Sequence, residues 1–412
     1  MNISKISRSI VVVIFIAVIL CLTILDCTLN NVSIKITLFK VAFVIITIAL
    51  ILMYVYIKGK LFKLKINKKI ALIYRYVYII LTVVLLRLVV LKNYYADYTS
   101  VYILASILLS VCIAITIKKI IFNVSKSDIL SVLGTFAYAS LPNIIDNKYI
   151  CINSELICLF MCLSLLFLQK LIDELKQQGI KNNKYIILAI IVGMFSALSI
   201  VIGVNIWVYL ITYFMLLFIT CNLDSTHIKF SNKIINRVNL NSKDKLYKIE
   251  RINISKLFIS IVIIVATSFI LSFLINLVIV HINTNELINT LLNNRVSFLY
   301  QFKFINTDIS KTSILKNMRI FLSTSRTYYL VILIYILIIE ILTIALKRKY
   351  DTKSTIIKSI FINTLLLYCI FNLNIYMYQP IFSILLILIA IVNTSNLYLN
   401  REERIKLLTA KF

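Results

Sequence analysis

The chain has 412 residues, 61% of them hydrophobic and only 15% charged, with 44 Lys and Arg against 16 Asp and Glu for a formal net charge of +28. Its mean hydropathy of +0.97 excludes the soluble globular class, where about half of residues are apolar. The basic residues are spread over many short segments and form no single patch, which excludes a nucleic-acid surface.

In chain order, apolar runs predict spans near 9–26, 36–57, 70–91, 100–121, 128–144, 150–169, 185–203, 206–221, 257–280, 327–346, 356–372 and 376–397. A bilayer core takes about 20 residues of helix per crossing, so the expectation is an all-α, polytopic transmembrane bundle of about 12 spans. Lys5 and Arg8 before Ser9–Leu25 resemble a signal sequence, but no small-residue cleavage site follows, and this run reads as the first retained helix. Three regions are expected: 1–91 with a basic inner loop, 92–256 as a central core with a second basic inner loop, and 257–412 with a large outer loop at about 281–326. Of the eight cysteines, Cys21, Cys112, Cys158, Cys162, Cys221 and Cys369 lie in apolar runs without a CxxC. They read as core residues, and with His227 and His281 far apart no metal site is expected.

Charge sets the orientation. The run Lys58, Lys60, Lys63, Lys65, Lys68 and Lys69, and the segment from Lys229 to Lys256, mark cytoplasmic loops if both termini face the cytoplasm of a plasma-membrane protein. One outer loop breaks the pattern. Between His281 and Arg326 lie Arg295, Lys303, Lys311, Lys316, Arg319 and Arg326, against Glu286 and Asp308, together with Phe298, Tyr300, Phe302 and Phe304. Such a loop suits either an anion on the outer face or an interfacial helix.

Acids on the expected outer face are few. Asp97 sits in the short loop Lys92-Asn93-Tyr94-Tyr95-Ala96-Asp97-Tyr98-Thr99, where a carboxylate among aromatics suits a general base, while spacing alone favours a helix cap. Asp146 and Glu155 bracket the turn after Pro142, with Glu155 placed where a helix dipole favours its charge. Within the spans, Lys40, Arg75, Arg87 and Glu340 are ionisable residues of the kind that mark function in a membrane. Lys40 and Arg75 are close enough to span ends to snorkel. Arg87 lies near the outer edge, close in sequence to Asp97, and Glu340 is deep and needs a partner. No P-loop, HExxH or GxSxG is present.

Four segments carry a family resemblance. Val101 to Ser110, running on to Lys118-Lys119-Ile120-Ile121-Phe122, forms a helix ending in a basic inner loop. Ser131 to Pro142, then Asn153-Ser154-Glu155-Leu156 and a helix ending in Leu168-Gln169-Lys170, forms a small-residue helix, a Leu-x-Pro, an outer turn and a Ser-Glu pair. Lys184-Tyr185 to Val204 contains Val192-Gly193-Met194-Phe195-Ser196-Ala197-Leu198, and Ile375-Tyr376-Met377-Tyr378-Gln379-Pro380 precedes the last span. Together they resemble the membrane glycosyltransferases of the GT-C superfamily, close to the protein mannosyltransferase and aminoarabinose transferase families. The resemblance implies transfer of a sugar from a polyprenyl-phosphate carrier to an acceptor on the outer face. In it Asp97 matches the base of the first outer loop and Glu155 the second outer acid. Arg295, Lys303, Arg319 and Arg326 would hold the carrier phosphate, and Arg87, placed to pair with Asp97, is a further substrate-binding candidate. The donor is a polyprenyl-phosphate sugar, no further cofactor is required, and the partners are membrane lipid and lipid-linked sugar. Two departures from the family are plain: the loop holding Asp97 is only about eight residues long, and the family's Arg-Tyr before the final proline is Tyr376-Met377 here. A member of the fold that has lost catalysis therefore stays open, as do a transporter or flippase of lipid-linked sugars and a glycan polymerase or ligase.

Overall fold

The computed structural model describes most residues between 42 and 59, and residues 68–94, 100–125, 127–139, 152–176, 183–204, 206–218, 254–283, 326–345, 352–371 and 375–398. The expected first span, Lys40, Pro142, Asp146 and nearly all of the loop 281–326 lie outside these residues.

Every regular element among the described residues is helical. After helical residues between 42 and 59 come α1 (Lys68–Tyr94), α2 (Ser100–Ser125), α3 (Asp128–Ala139), α4 (Ile152–Lys176) and α5 (Lys184–Ile202). They are followed by α6 (Ile206–Phe218), α7 (Ile254–Asn283), α8 (Arg326–Ala345), α9 (Thr352–Phe371) and α10 (Ile375–Tyr398). Among them, Ile103–Ser125, Ser154–Leu175, Lys184–Ile202 and Ile254–Val278 are long and apolar enough to cross a membrane. Apart from α10, which holds Pro380 near its start, the helices follow from long stretches without proline, in a solvent where each backbone N–H must bond within its own segment.

The chain divides into two compact units. The first holds residues 1–158, 310–354 and 373–412, and so contains α1, α2, α3, the first turns of α4, α8 and α10. Within it α10 packs against α2, α3 and α8, and its residues 381–395 are buried all round, as expected of a helix at the centre of a bundle. Ser127, just before α3, accepts through Oγ from the Leu130 N–H at 3.4 Å and so caps α3.

Gly134 sits in the first unit where a Cβ would meet Ile121 Cδ1 and, at 2.7 Å, Ile391 Cδ1. Both are far ends of flexible side chains. Gly134→Ala gains helix propensity of about 1 kcal/mol against a similar packing cost. It is expected to leave the thermal midpoint in detergent nearly unchanged, and a loss of many degrees would show that this seam cannot yield.

The second unit comprises residues 159–309 and 355–372. Helices gain little from burying apolar surface when lipid is itself apolar, so close packing and hydrogen bonds must hold them together. Both are present. Gly193 on α5 lets α7 approach closely, and Ser268 Oγ donates across that seam to the Gly193 carbonyl at 3.2 Å. Ser196 Oγ bonds Ser164 Oγ of α4 at 3.0 Å and the Tyr213 hydroxyl of α6 at 2.8 Å, and Asn363 Nδ2 of α9 donates to Thr212 Oγ1 at 3.2 Å. At the end of α5, Gly203 adopts φ 144°, a conformation that side chains rarely tolerate, and its N–H closes onto the Ser199 and Ile200 carbonyls. The outward side of α7, including Phe258, Val262, Ile270, Phe273 and Val278, is exposed and apolar, as suits contact with lipid tails.

Candidate functional site

The C-terminal part of α1, the N-terminal part of α2, the last turn of α3 and the first turn of α4 meet at one end of the first unit. Each contributes a polar side chain: Arg87, Ser106 with Ser110, Tyr138 and Glu155. Arg87 is 1% exposed and Glu155 6%, yet both are ionisable. A buried charge is tolerated only when compensated, and here the two compensate each other. Arg87 Nη2 lies 3.6 Å from Glu155 Oε1.

The rest of the cluster converges on the same two atoms. Arg87 Nη2 donates to the Tyr138 hydroxyl at 3.1 Å, and the guanidinium carbon stands 5.5 Å from the Tyr138 ring centroid, within reach of a cation–π contact. Ser106 Oγ and Ser110 Oγ donate to Glu155 Oε1 at 3.1 and 3.4 Å. The serines are one helical turn apart and so share a face of α2. Glu155 stands in the first turn of α4, where the helix dipole also favours its charge.

This convergence leaves the other polar atoms unused. Arg87 Nε and Nη1 and Glu155 Oε2 are buried and have no hydrogen-bond partner among the described residues. The site therefore offers two donors of a cationic fork beside one anionic acceptor. A guanidinium fork matches the paired oxygens of a phosphate, and the free carboxylate oxygen can accept from a hydroxyl.

Of the residues singled out by sequence, the structure brings Arg87 and Glu155 together. Asp97, Arg295, Lys303 and Arg319 lie outside the described residues. Arg326 is the first residue of α8, and its side chain lies outside them as well. Tyr138, Ser106 and Ser110 were not singled out as functional. The i, i+4 serine pair on an otherwise apolar helix was a legible signal, whereas Tyr138 among apolar neighbours was not. Glu340 acquires a partner: Asn393 Nδ2 of α10 donates to its Oε1 at 2.8 Å, while Tyr335 and Thr394 hydroxyls bond at 2.8 Å on the same two helices. Among the described residues no three His, Cys, Asp or Glu side chains gather as metal ligands do.

No protein-family model, curated protein or solved structure matches this chain.

Proposed function

We propose that this protein is a membrane glycosyltransferase that takes a sugar from a polyprenyl-phosphate carrier and passes it to a cell-surface hydroxyl acceptor, with Arg87 holding the carrier phosphate. The observation that carries the reading is the buried Arg87 fork with two unused nitrogens beside the unused Oε2 of Glu155. Arg87 stands seven residues from the end of α1, about 10 Å along the helix, and Glu155 is within the first turn of α4. On the charge-based orientation that end is the outer face, where a carrier phosphate rides at headgroup level.

In this reaction the acceptor oxygen bonds to the anomeric carbon as the bond from that carbon to the phosphate oxygen breaks. The electron pair leaves with the polyprenyl phosphate. Arg87 stabilises the charge that grows on the phosphate, and Glu155 keeps the guanidinium in place and accepts from a sugar hydroxyl through Oε2. The acceptor proton goes to Asp97, the base that the GT-C resemblance implies. Arg295, Lys303, Arg319 and Arg326 of the basic loop would add positive charge around the carrier.

The test uses the full chain in proteoliposomes with undecaprenyl phosphate and its sugar-charged forms. Arg87→Lys keeps the charge and removes the fork, and is expected to weaken undecaprenyl-phosphate binding by about tenfold. Unchanged binding would remove Arg87 from phosphate recognition. Asp97→Asn is expected to abolish sugar transfer with binding intact. If the wild type moves the charged lipid across the bilayer but transfers no sugar, and Asp97→Asn leaves that movement untouched, the protein is a flippase and the transferase reading is lost.

A further inference from the structure

The two oxygens of the Glu155 carboxylate are used unevenly. Among the described residues every polar contact falls on Oε1: the Ser106 and Ser110 hydroxyls donate to it, and Arg87 Nη2 stands 3.6 Å away. Oε2 is buried and accepts from none of them. A carboxylate with its donors on one oxygen can take a proton on the other without losing any of them, because Oε1 of the acid still accepts. It gains an O–H donor in the process.

The charges around Glu155 are few. Arg87 from α1 is the cation of the pair, Tyr138 from α3 is the other titratable group in contact with it, and Cys158 follows on α4 near Tyr138. From α2 the Ser106 and Ser110 hydroxyls face the carboxylate. The other charged side chains described on α1, α2 and α3 are Arg75, Lys118, Lys119 and Asp128, which stand about 12–18 Å farther along those helices. α10, which packs on α2 and α3, has no Asp, Glu, His, Lys or Arg. Among the described residues the site is therefore neutral while the pair is ionised. A phosphate that bonds to Arg87 Nε or Nη1 adds a negative charge, and an uncompensated charge in an apolar interior is costly. A proton on Glu155 restores neutrality, since arginine keeps its own proton at any ordinary pH.

We propose that a phosphate binding at Arg87 brings with it one proton, taken up from solution by Glu155 Oε2, so that the anion is held by the guanidinium and by a new O–H donor. The inference rests on the reading of Arg87 as a phosphate site and adds the proton to it. One O–H bond forms and no other bond changes. The protonated oxygen donates to the phosphate and keeps a lone pair that can accept from a sugar hydroxyl. Affinity is then linked to pH. The bound anion favours the protonated carboxyl, so binding is tightest at acid pH, where Glu155 already holds its proton. It weakens as pH rises, by at most tenfold per unit, as one proton per bound anion requires.

The experiment is titration calorimetry of the full chain in detergent with undecaprenyl methyl phosphate. This diester keeps one negative charge, without the second ionisation that a monoester shows at about pH 6. Repeating each titration in buffers of different ionisation enthalpy gives the protons taken up per lipid bound. For the wild type, affinity is expected to fall by up to about tenfold per pH unit over part of the range, with uptake of up to one proton there. Glu155→Gln keeps an acceptor for the serines and puts an amide donor in place of the Oε2 proton. It is expected to bind without proton uptake and with one affinity throughout, about tenfold tighter than wild type at the basic end. Ser106→Ala with Ser110→Ala keeps the ion pair should the glutamine variant not fold. Without those bonds the carboxylate protonates more readily, and the fall in affinity is expected to move up by about one pH unit. Wild-type binding with no proton uptake at any pH would overturn the coupling and leave Arg87 as a phosphate site. Proton uptake that persists in Glu155→Gln, or a fall unmoved in the double serine variant, would place the proton elsewhere and overturn the coupling as well. Absence of wild-type binding at every pH would remove the phosphate reading and the coupling with it.

Discussion

Glu155→Leu is expected to destabilise the protein by about 3–5 kcal/mol, because removing one partner of a buried ion pair leaves the other charge uncompensated in an apolar interior. Arg87 is nearly inaccessible, and of its remaining neighbours among the described residues only the Tyr138 hydroxyl accepts from it. It has no second carboxylate among the described residues within ion-pair reach. The double variant Arg87→Met with Glu155→Leu is expected to recover most of that loss, since apolar side chains of similar volume do without the desolvation cost that the pair carries. Unfolding in detergent, followed by loss of helical signal, supplies the numbers for a double-mutant cycle. A coupling near zero would mean that the two groups are not a pair. The same double variant separates structure from function: it should fold and yet fail to bind undecaprenyl phosphate, whereas a pair kept only for stability would leave binding unchanged.

Gly193→Ala is the second change expected to have a large effect, at about 2–3 kcal/mol or more. An added Cβ would collide with Thr267 Oγ1 and would stand 2.9 Å from both Thr267 Cβ and the Ile264 carbonyl oxygen. The carbonyl belongs to the backbone of α7 and cannot rotate away, so the helices must separate. Separation would also stretch the Ser268 bond to the Gly193 carbonyl. Adding Thr267→Ala should recover part of the loss by removing Oγ1, but not all of it, because the Ile264 carbonyl remains. A thermal midpoint equal to wild type in Gly193→Ala would show that α5 and α7 are not locked at this point. The contrast with Gly134 is instructive: two glycines in apolar helices read alike in sequence, but one faces flexible side-chain ends and the other a helix backbone.

Much of the helical layout is legible in the sequence. The runs expected at 100–121, 185–203 and 257–280 correspond to α2, α5 and α7, because a long apolar stretch without proline admits few alternatives in a bilayer. Within the candidate site, Arg87 and Glu155 were visible for the reason that any ionisable residue in a span is visible. What was not visible was their pairing. Arg87 had a nearer acid in sequence in Asp97, and Glu155 had a sufficient local explanation in the dipole of its own helix. Glu340 likewise declared itself as a charge in need of a partner, but nothing singled out Asn393 among the polar residues of α10. Asp128 stands at the first position of the run expected at 128–144, and its place between Arg75 and Lys118 requires three helices to be positioned.

The sequence by itself determined that the chain is helical and membrane-like in character, where its apolar helices run, and which few ionisable residues they carry. These follow from constraints that act along the chain, since each segment in an apolar solvent must satisfy its own backbone and expose mostly apolar side chains. Only the tertiary structure decided which charge offsets which, that Arg87 and Glu155 leave three polar atoms unused, and that Gly193 is a point of backbone contact. A buried charge is compensated by whichever helix lies next to it in space, and neighbours in space are set by packing between helices that any single segment's pattern leaves open.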